Sequence, residues 1–438
     1  MFHTFFPKPR LFFASFVLWT ALCVAAWYSG VREFGHVASL GALFGYGFPA
    51  DLVAGQPPAE AAAGAAAYKA QLGGALMFWS YQYMLACYVV FAGFWFWFAP
   101  HRWNIWSVAG SAVIVFFTWV QVQMDVLINQ WFGRFYDTVQ QALSGPDKVS
   151  EAAFYGHLAT FTTIALFAVT LSVVSNFLIS HYVFRWRTAM NDYYMANWEQ
   201  LRHIEGASQR VQEDTKRFAM IAESLGVRFI DSLMTLAAFL PILWGLSAHV
   251  TRLPVVGEVS QGLVFVAILW SIGGTVLLSV AGVRLPGLEF RNQRVEAAYR
   301  KELVLGEDLA DRASPPTVHE LFNDVRRNYF TLYLNYLYFN VVRYAYLQAG
   351  VLVPYVALAP TIVSGTITLG VMQQIIRAFN RVENSFQFLV NSWTTIIELM
   401  SIYKRLAAFS ATLEGQQLAS IEKEAQQQQA PATLPEPT

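Results

Sequence analysis

Charged side chains are what this sequence has least of. Asp, Glu, Lys and Arg make up 13% of its 438 residues, about half the ~25% of an ordinary soluble domain. That shortage excludes a soluble globular chain of this size. Acidic and basic residues cancel at 29 each, so there is no basic excess of the kind that holds nucleic acid, and no nucleic-acid partner is expected. Cysteine is almost missing. Cys23 and Cys87 both fall inside apolar runs, where they read as small hydrophobes. A disulfide framework and a thiolate metal site are thereby excluded, and the scattered histidines add no metal spacing. No Gly-x-x-x-x-Gly-Lys-[Ser/Thr] occurs, and no Gly-Lys pair at all. This chain alone is therefore expected neither to hydrolyse ATP nor to hold a cofactor. No nucleophile and base stand at a recognisable spacing, so no enzyme activity is expected.

Apolar sequence takes the place of charge. The chain is 55% hydrophobic and 16% aromatic, with several uncharged runs of the length that crosses a bilayer. The expected fold class is all-α: a polytopic membrane protein with eight transmembrane helices. The spans are expected near 11–30, 72–98, 105–128, 157–182, 227–248, 259–283, 329–352 and 368–409. Lys8 and Arg10 precede the first run, which is longer than a signal-peptide core and lacks a small-x-small cleavage site; it reads as a membrane helix. The Gly-, Ala- and Pro-rich loop 31–69 reads as exposed and poorly structured, and the Gln-rich tail 411–438 as disordered.

Orientation follows from Lys and Arg. Segments 183–228 and 284–327 hold seven and eight. The four segments on the other side hold only Arg32, Lys69, Arg134, Lys148 and Arg252. The positive-inside rule places the two rich segments, and both termini, in the cytoplasm. Several helical patterns run past the membrane into these segments.

The stretch Pro286–Glu307 carries the most informative pattern. Glu289, Glu296 and Glu307 are spaced so that each step returns to nearly the same side of a helix, giving a stripe of carboxylates about 27 Å long. Glu205 and Glu223 repeat the relation in the other cytoplasmic stretch. Such a stripe is either a solvated face or a proton path. In a partly dry cavity, desolvation and neighbouring carboxylates favour proton uptake near neutral pH.

Several blocks then become recognisable: MFHTFFPKPRLFF, APHRWNIWS, ISHYVFRWRTAMNDYYMANWEQLRHIEGASQRVQEDTKRF, GVRLPGLEFRNQRVEAAYRKEL and FLVNSWTTIIELMSIYKRL. These resemble the SbmA/BacA peptide-antibiotic transporters of Gram-negative inner membranes, over residues 1 to about 410. The resemblance implies a homodimer in the lipid bilayer. Each subunit would have two N-terminal helices (1–100), then a six-helix core like an ABC exporter membrane domain without a nucleotide-binding domain (101–410). It implies proton-driven uptake of peptides, including proline-rich antimicrobial peptides, and of bulky antibiotics. The family's proton route, a ladder of glutamates, would fall on Glu223, Glu296 and Glu307, with Glu205, Glu213 and Glu289 as nearby candidates. Leu305 stands where that family leads one to expect a tyrosine, so no hydroxyl role carries over there. A more distant likeness, through ASQRVQEDTKRF, is to ABC transporters of the peroxisomal type. It keeps open an alternative, a membrane subunit that pairs with a separate ATPase.

Four further positions are worth following. Arg300 and Lys301 follow Glu296 at helical spacing, as a stabilising pair or as counter-ions. Arg343 lies inside an apolar span, where a charge faces an interior or a cavity, with Asp125 or Glu398 as possible partners. His203 stands beside Glu205.

Overall fold

A computed structural model of the chain describes residues 1–49, 65–204, 207–250, 252–254, 257–259, 261–308 and 313–414. The long helices are α1 (Pro9–Ala26), α2 (Ala65–Phe98), α3 (Ser111–Leu143), α4 (Glu151–Ala196), α5 (Thr215–Ser247), α6 (Gly262–Gly282), α7 (Leu285–Asp308), α8 (Pro315–Val363), α9 (Leu369–Phe386) and α10 (Trp393–Ala411). A two-residue hairpin, Arg252–Leu253 against Gly257–Glu258, is antiparallel. The all-α membrane fold is thus present. Among the described residues seven helices are long and apolar enough to cross a membrane, and the chain is a multi-pass membrane protein.

The expected eighth span differs. The stretch 368–409 is divided into α9, a single turn Phe388–Asn391, and α10. Arg377, Arg381 and Glu383 all lie on the 18-residue α9. Its apolar residues occupy one side, with Ile375, Ile376, Phe379 and Val382 buried, so it suits a protein neighbour on that side better than lipid all round. Helix α4 has 46 residues, a length of about 70 Å that far exceeds a bilayer; α8, with 49, does too.

The chain forms two compact units. The first comprises Met1–Val120, Ser172–Ser224 and Leu399–Thr438. Its N-terminal residues do not trail away. Phe5 and Phe6 are buried, with Phe5 stacked on Trp186 at 5.8 Å between centroids and edge-on to Tyr182. Phe2 meets Phe218 edge-on at 5.4 Å. Helices α1 and α2 are tied by indole and phenol donors: Trp19 Nε1 to the Cys87 carbonyl at 3.0 Å, and Tyr83 to the Cys23 carbonyl at 2.9 Å. The segment after α1, expected to be loose, is packed as far as it is described. Trp79 donates to the Val31 carbonyl, and the Leu40 N–H donates to Gln82. Gly35 lies so close to Phe48 and Trp79 that no Cβ fits there. Residues 50–64 of that loop, and the tail beyond 414, lie outside the described residues. In the same unit, Arg405 holds Asp214 through two bonds, Nε–Oδ2 at 3.0 Å and Nη2–Oδ1 at 2.8 Å.

The second unit comprises Gln121–Leu171 and Leu225–Glu398. Its core gathers Phe239 and Leu243 from α5, Leu263 and Ala267 from α6, Leu358 from α8, and Ile375, Phe379 and Val382 from α9. The start of α9 is pinned to α3. Thr368 caps the helix through Val371 N–H, Leu369 N–H donates to Gln140 Oε1 at 2.7 Å, and Gly370 N–H donates to Asp137 Oδ1 at 3.0 Å.

Candidate functional site

The glutamate stripe is built by α7. Helix α6 supplies 21 residues without a charge, the chain turns at Val283–Arg284, and α7 then runs unbroken from Leu285 to Asp308. Glu289, Glu296 and Glu307 therefore share one continuous helix, at the spacing the sequence suggested. Glu289 and Glu296 are half-buried and Glu307 is exposed. Glu289 accepts a 2.7 Å hydrogen bond from the Tyr336 hydroxyl of α8. Glu296 and Glu307 make no hydrogen bond or ion pair among the described residues. The pair expected between Glu296 and Arg300 is not formed: Arg300 is exposed, and its side chain and that of Glu296 make no contact within ion-pairing distance. A long exposed pair on a helix gains only a few tenths of a kcal/mol, too little to hold both side chains in one geometry.

Two of the remaining candidates, Glu223 and Glu213, fall in the first unit. Glu223 is half-buried on α5, and its charge acts on the Tyr182 phenol. Glu213 is half-buried in a wide helical turn, Arg210–Asp214, and pairs with Arg217 at 3.0 Å. Glu205, and with it the relation of His203 to Glu205, lies outside the described residues.

Asp125 is not the partner of Arg343. It is taken by Arg381 of α9, Nη2 to Oδ1 at 2.6 Å, and Asp231 of α5 feels both charges. Arg377, one turn before Arg381, lies over the Phe132 ring at 4.2 Å. Arg343 is exposed on α8 and has no partner among the described residues.

Sequence reasoning missed a second acidic centre, Glu383. The signal was present: Arg377, Arg381 and Glu383 stand within one expected membrane span, where charge is expensive and functional. Among the described residues no group of three or more metal-binding side chains forms.

Comparison with known proteins decides the family. The model of the SbmA/BacA-like family matches residues 100–414. The chain belongs to the SbmA/BacA-like family. This SbmA/BacA-like chain is also similar to the Escherichia coli "Inner membrane ABC transporter ATP-binding protein YddA", 26% identical over 316 residues, covering 67% of this chain and 55% of that protein. It is 23% identical over 260 residues to an "Uncharacterized ABC transporter ATP-binding protein" of Haemophilus influenzae, covering 55% and 42% of the two. A third relative, "Uncharacterized ABC transporter ATP-binding protein sll0182" of Synechocystis, is 23% identical over 334 residues, covering 72% and 47%. The SbmA/BacA-like chain spans about half the length of the curated relatives it matches.

Proposed function

We propose that this protein is a homodimeric, proton-coupled importer in a Gram-negative inner membrane, with both termini cytoplasmic. Its cargo is peptides, including proline-rich antimicrobial peptides, and bulky peptide-like antibiotics. Membership of the SbmA/BacA-like family supports the class. The observation that carries the coupling is Glu296: a half-buried carboxylate without a partner among the described residues, on a helix that directly continues an uncharged span. Its position is the ground for assigning it to the proton route. Glu289, Glu307, Glu223, Glu213 and Glu205 are the other members of the proposed route.

The energy scale is sufficient. A proton crossing the membrane releases roughly 2.3 kcal/mol per 100 mV. Two or three per cycle compare with the ~5.5 kcal/mol needed to invert a 1:99 population of two conformations. Alternating access would follow as loading and release of the carboxylates bias a gate shared by two subunits.

The test is uptake of a fluorescent proline-rich peptide into proteoliposomes under an imposed pH gradient. Wild-type protein accumulates the probe and an uncoupler stops it. Glu296→Gln lowers uptake about tenfold or more, equivalent to at least ~1.4 kcal/mol of the rate-limiting barrier, at unchanged protein level. Wild-type uptake in Glu296→Gln removes this residue from the route.

Similarity to proteins named as ABC transporter ATP-binding proteins favours a second reading, a membrane subunit working with a separate ATPase. Uptake that requires ATP and a co-purifying ATPase, and that ignores the uncoupler, would establish it instead.

A further inference from the structure

Glu383 is the most enclosed carboxylate to which none of the foregoing assigns a role. It is 8% exposed, and all its hydrogen bonds converge on one oxygen. Oε1 accepts from Trp270 Nε1 of α6 at 2.9 Å, from the Tyr346 hydroxyl of α8 at 3.2 Å, and from Gln387 Nε2 at 3.0 Å. Gln387 Nε2 also donates to the Tyr346 hydroxyl at 2.7 Å. Oε2 has no hydrogen-bond partner among the described residues. Three helices thus meet on a single oxygen atom.

The surroundings are shaped for this group. The Trp270 and Tyr346 rings stack at 4.9 Å and 14°. Tyr346 lies against the backbone of Gly274, where a Cβ would collide with its phenol ring and hydroxyl. A Cβ on Gly350 would stand 3.1 Å from Oε1. Two glycines therefore leave the room that the carboxylate and the tyrosine fill. Trp270 lies near the middle of α6, which has no charged side chain along its length, so the carboxylate is held against the apolar midsection of a membrane-crossing helix.

What is missing is a counter-ion. Helix α6 presents no titratable group, and the turn Phe388–Asn391 none. From α8 only Tyr346 reaches Glu383, while Arg343 and Tyr344 nearby are exposed. On α9 itself, Arg381 is bound to Asp125 and Arg377 covers Phe132. Trp270, Tyr346 and Gln387 all turn N–H or O–H donors to Oε1, and no group of three or more metal-binding side chains forms among the described residues, so a metal ion is not the natural partner. A carboxylate in a dry place with neutral donors on one oxygen and none on the other has a ready place for a proton.

Resting on the proton-coupled reading above, we propose that Glu383 is a further proton-carrying residue of the transport cycle. A proton from water bonds to Oε2, the carboxylate becomes a neutral acid, and the clasp that joins α6, α8 and α9 loosens. The loosening follows because bonds to an ionised acceptor are roughly twice as strong as bonds to a neutral one. Release of the proton restores the clasp.

The decisive experiment is infrared difference spectroscopy of the purified full-length protein between about pH 5 and pH 9. Wild-type protein shows a protonated-carboxyl band at acid pH that Glu383→Gln lacks. In Glu383→Asp the band persists with a displaced midpoint. In Tyr346→Phe, which removes one donor to the ionised form, it develops at higher pH than in wild type. In proteoliposomes with the fluorescent peptide, Glu383→Gln loses the pH step in uptake and Glu383→Asp partly restores it. A Glu383→Gln spectrum with the full wild-type band overturns the proposal, as does an unmoved midpoint in Tyr346→Phe, which stands as the check if the glutamine variant does not fold. Should wild-type protein show no gradient-driven uptake, the transport reading falls separately and the infrared band alone decides the assignment to Glu383.

Discussion

At the scale of single residues, buried partners explain more than surface ones. Asp214 is 6% exposed at its side chain, whereas its partner Arg405 is 44% exposed. Removing the arginine leaves a carboxylate out of water with its two strongest donors gone. Breaking a fully buried pair costs about 3–5 kcal/mol, and the exposure of Arg405 reduces this to about 2 kcal/mol for Arg405→Ala. Thermal unfolding in detergent should report the loss, and Arg405→Lys should recover only part of it, because an ammonium cannot form both bonds. His101, in the turn between α2 and α3, predicts a pH effect. Its Nδ1 accepts from the Trp103 N–H at 3.3 Å, and burial makes it harder to protonate than a free histidine. The unfolded chain therefore binds the proton more readily. His101 contributes its full stability above about pH 6.5, and that contribution declines as pH falls through and below this value. Unfolding midpoints measured across this range should fall with acidification, and His101→Asn should flatten the slope.

At the scale of elements, helix existence was legible and helix ends were not. Long apolar runs declare themselves by composition, and the first two expected spans fall within two residues of the membrane-crossing stretches Pro9–Val31 and Gln71–Phe98. Helix α4 runs past the bilayer to Ala196, as its unbroken helical pattern suggested, whereas α8 reaches Pro315 and Val363, well beyond the expected 329–352, because beyond the bilayer a helix continues on packing and polar residues, which leave no hydropathy edge. Helix α9 was misjudged for the opposite reason. Its buried face looks apolar enough to be half of a span, but its arginines make contacts that only the tertiary structure shows, such as Arg381 with Asp125. The glutamate stripe on α7 was readable, since it needs only helical spacing. The Glu383 clasp was not, since its donors come from helices far apart in sequence. The close approach of α6 and α8 yields a further prediction. Gly274→Ala puts a methyl group where the Tyr346 phenol now lies. The tyrosine must move, at about 1–3 kcal/mol for an overpacked interior, and the expected result is a lowered unfolding temperature with altered near-ultraviolet dichroism from Trp270 and Tyr346.

At the scale of the whole molecule, the bilayer completes what the chain leaves open. Helix α8 alone exposes Phe330, Tyr338, Val341 and Tyr344, side chains that a water-soluble protein of this size would cover. Arg343 stands exposed on the same helix, a charge that a uniform lipid coat would leave unsolvated. The burial of Phe5 and Phe6 has a different consequence, in time rather than in space. Trp186, the ring partner of both, and Phe218, the partner of neighbouring Phe2, emerge from the ribosome later by roughly 200 residues, about ten to forty seconds of translation. Until then Phe2, Phe5 and Phe6 lack the rings of α4 and α5 that enclose them, so this segment completes its packing only after those helices have been made.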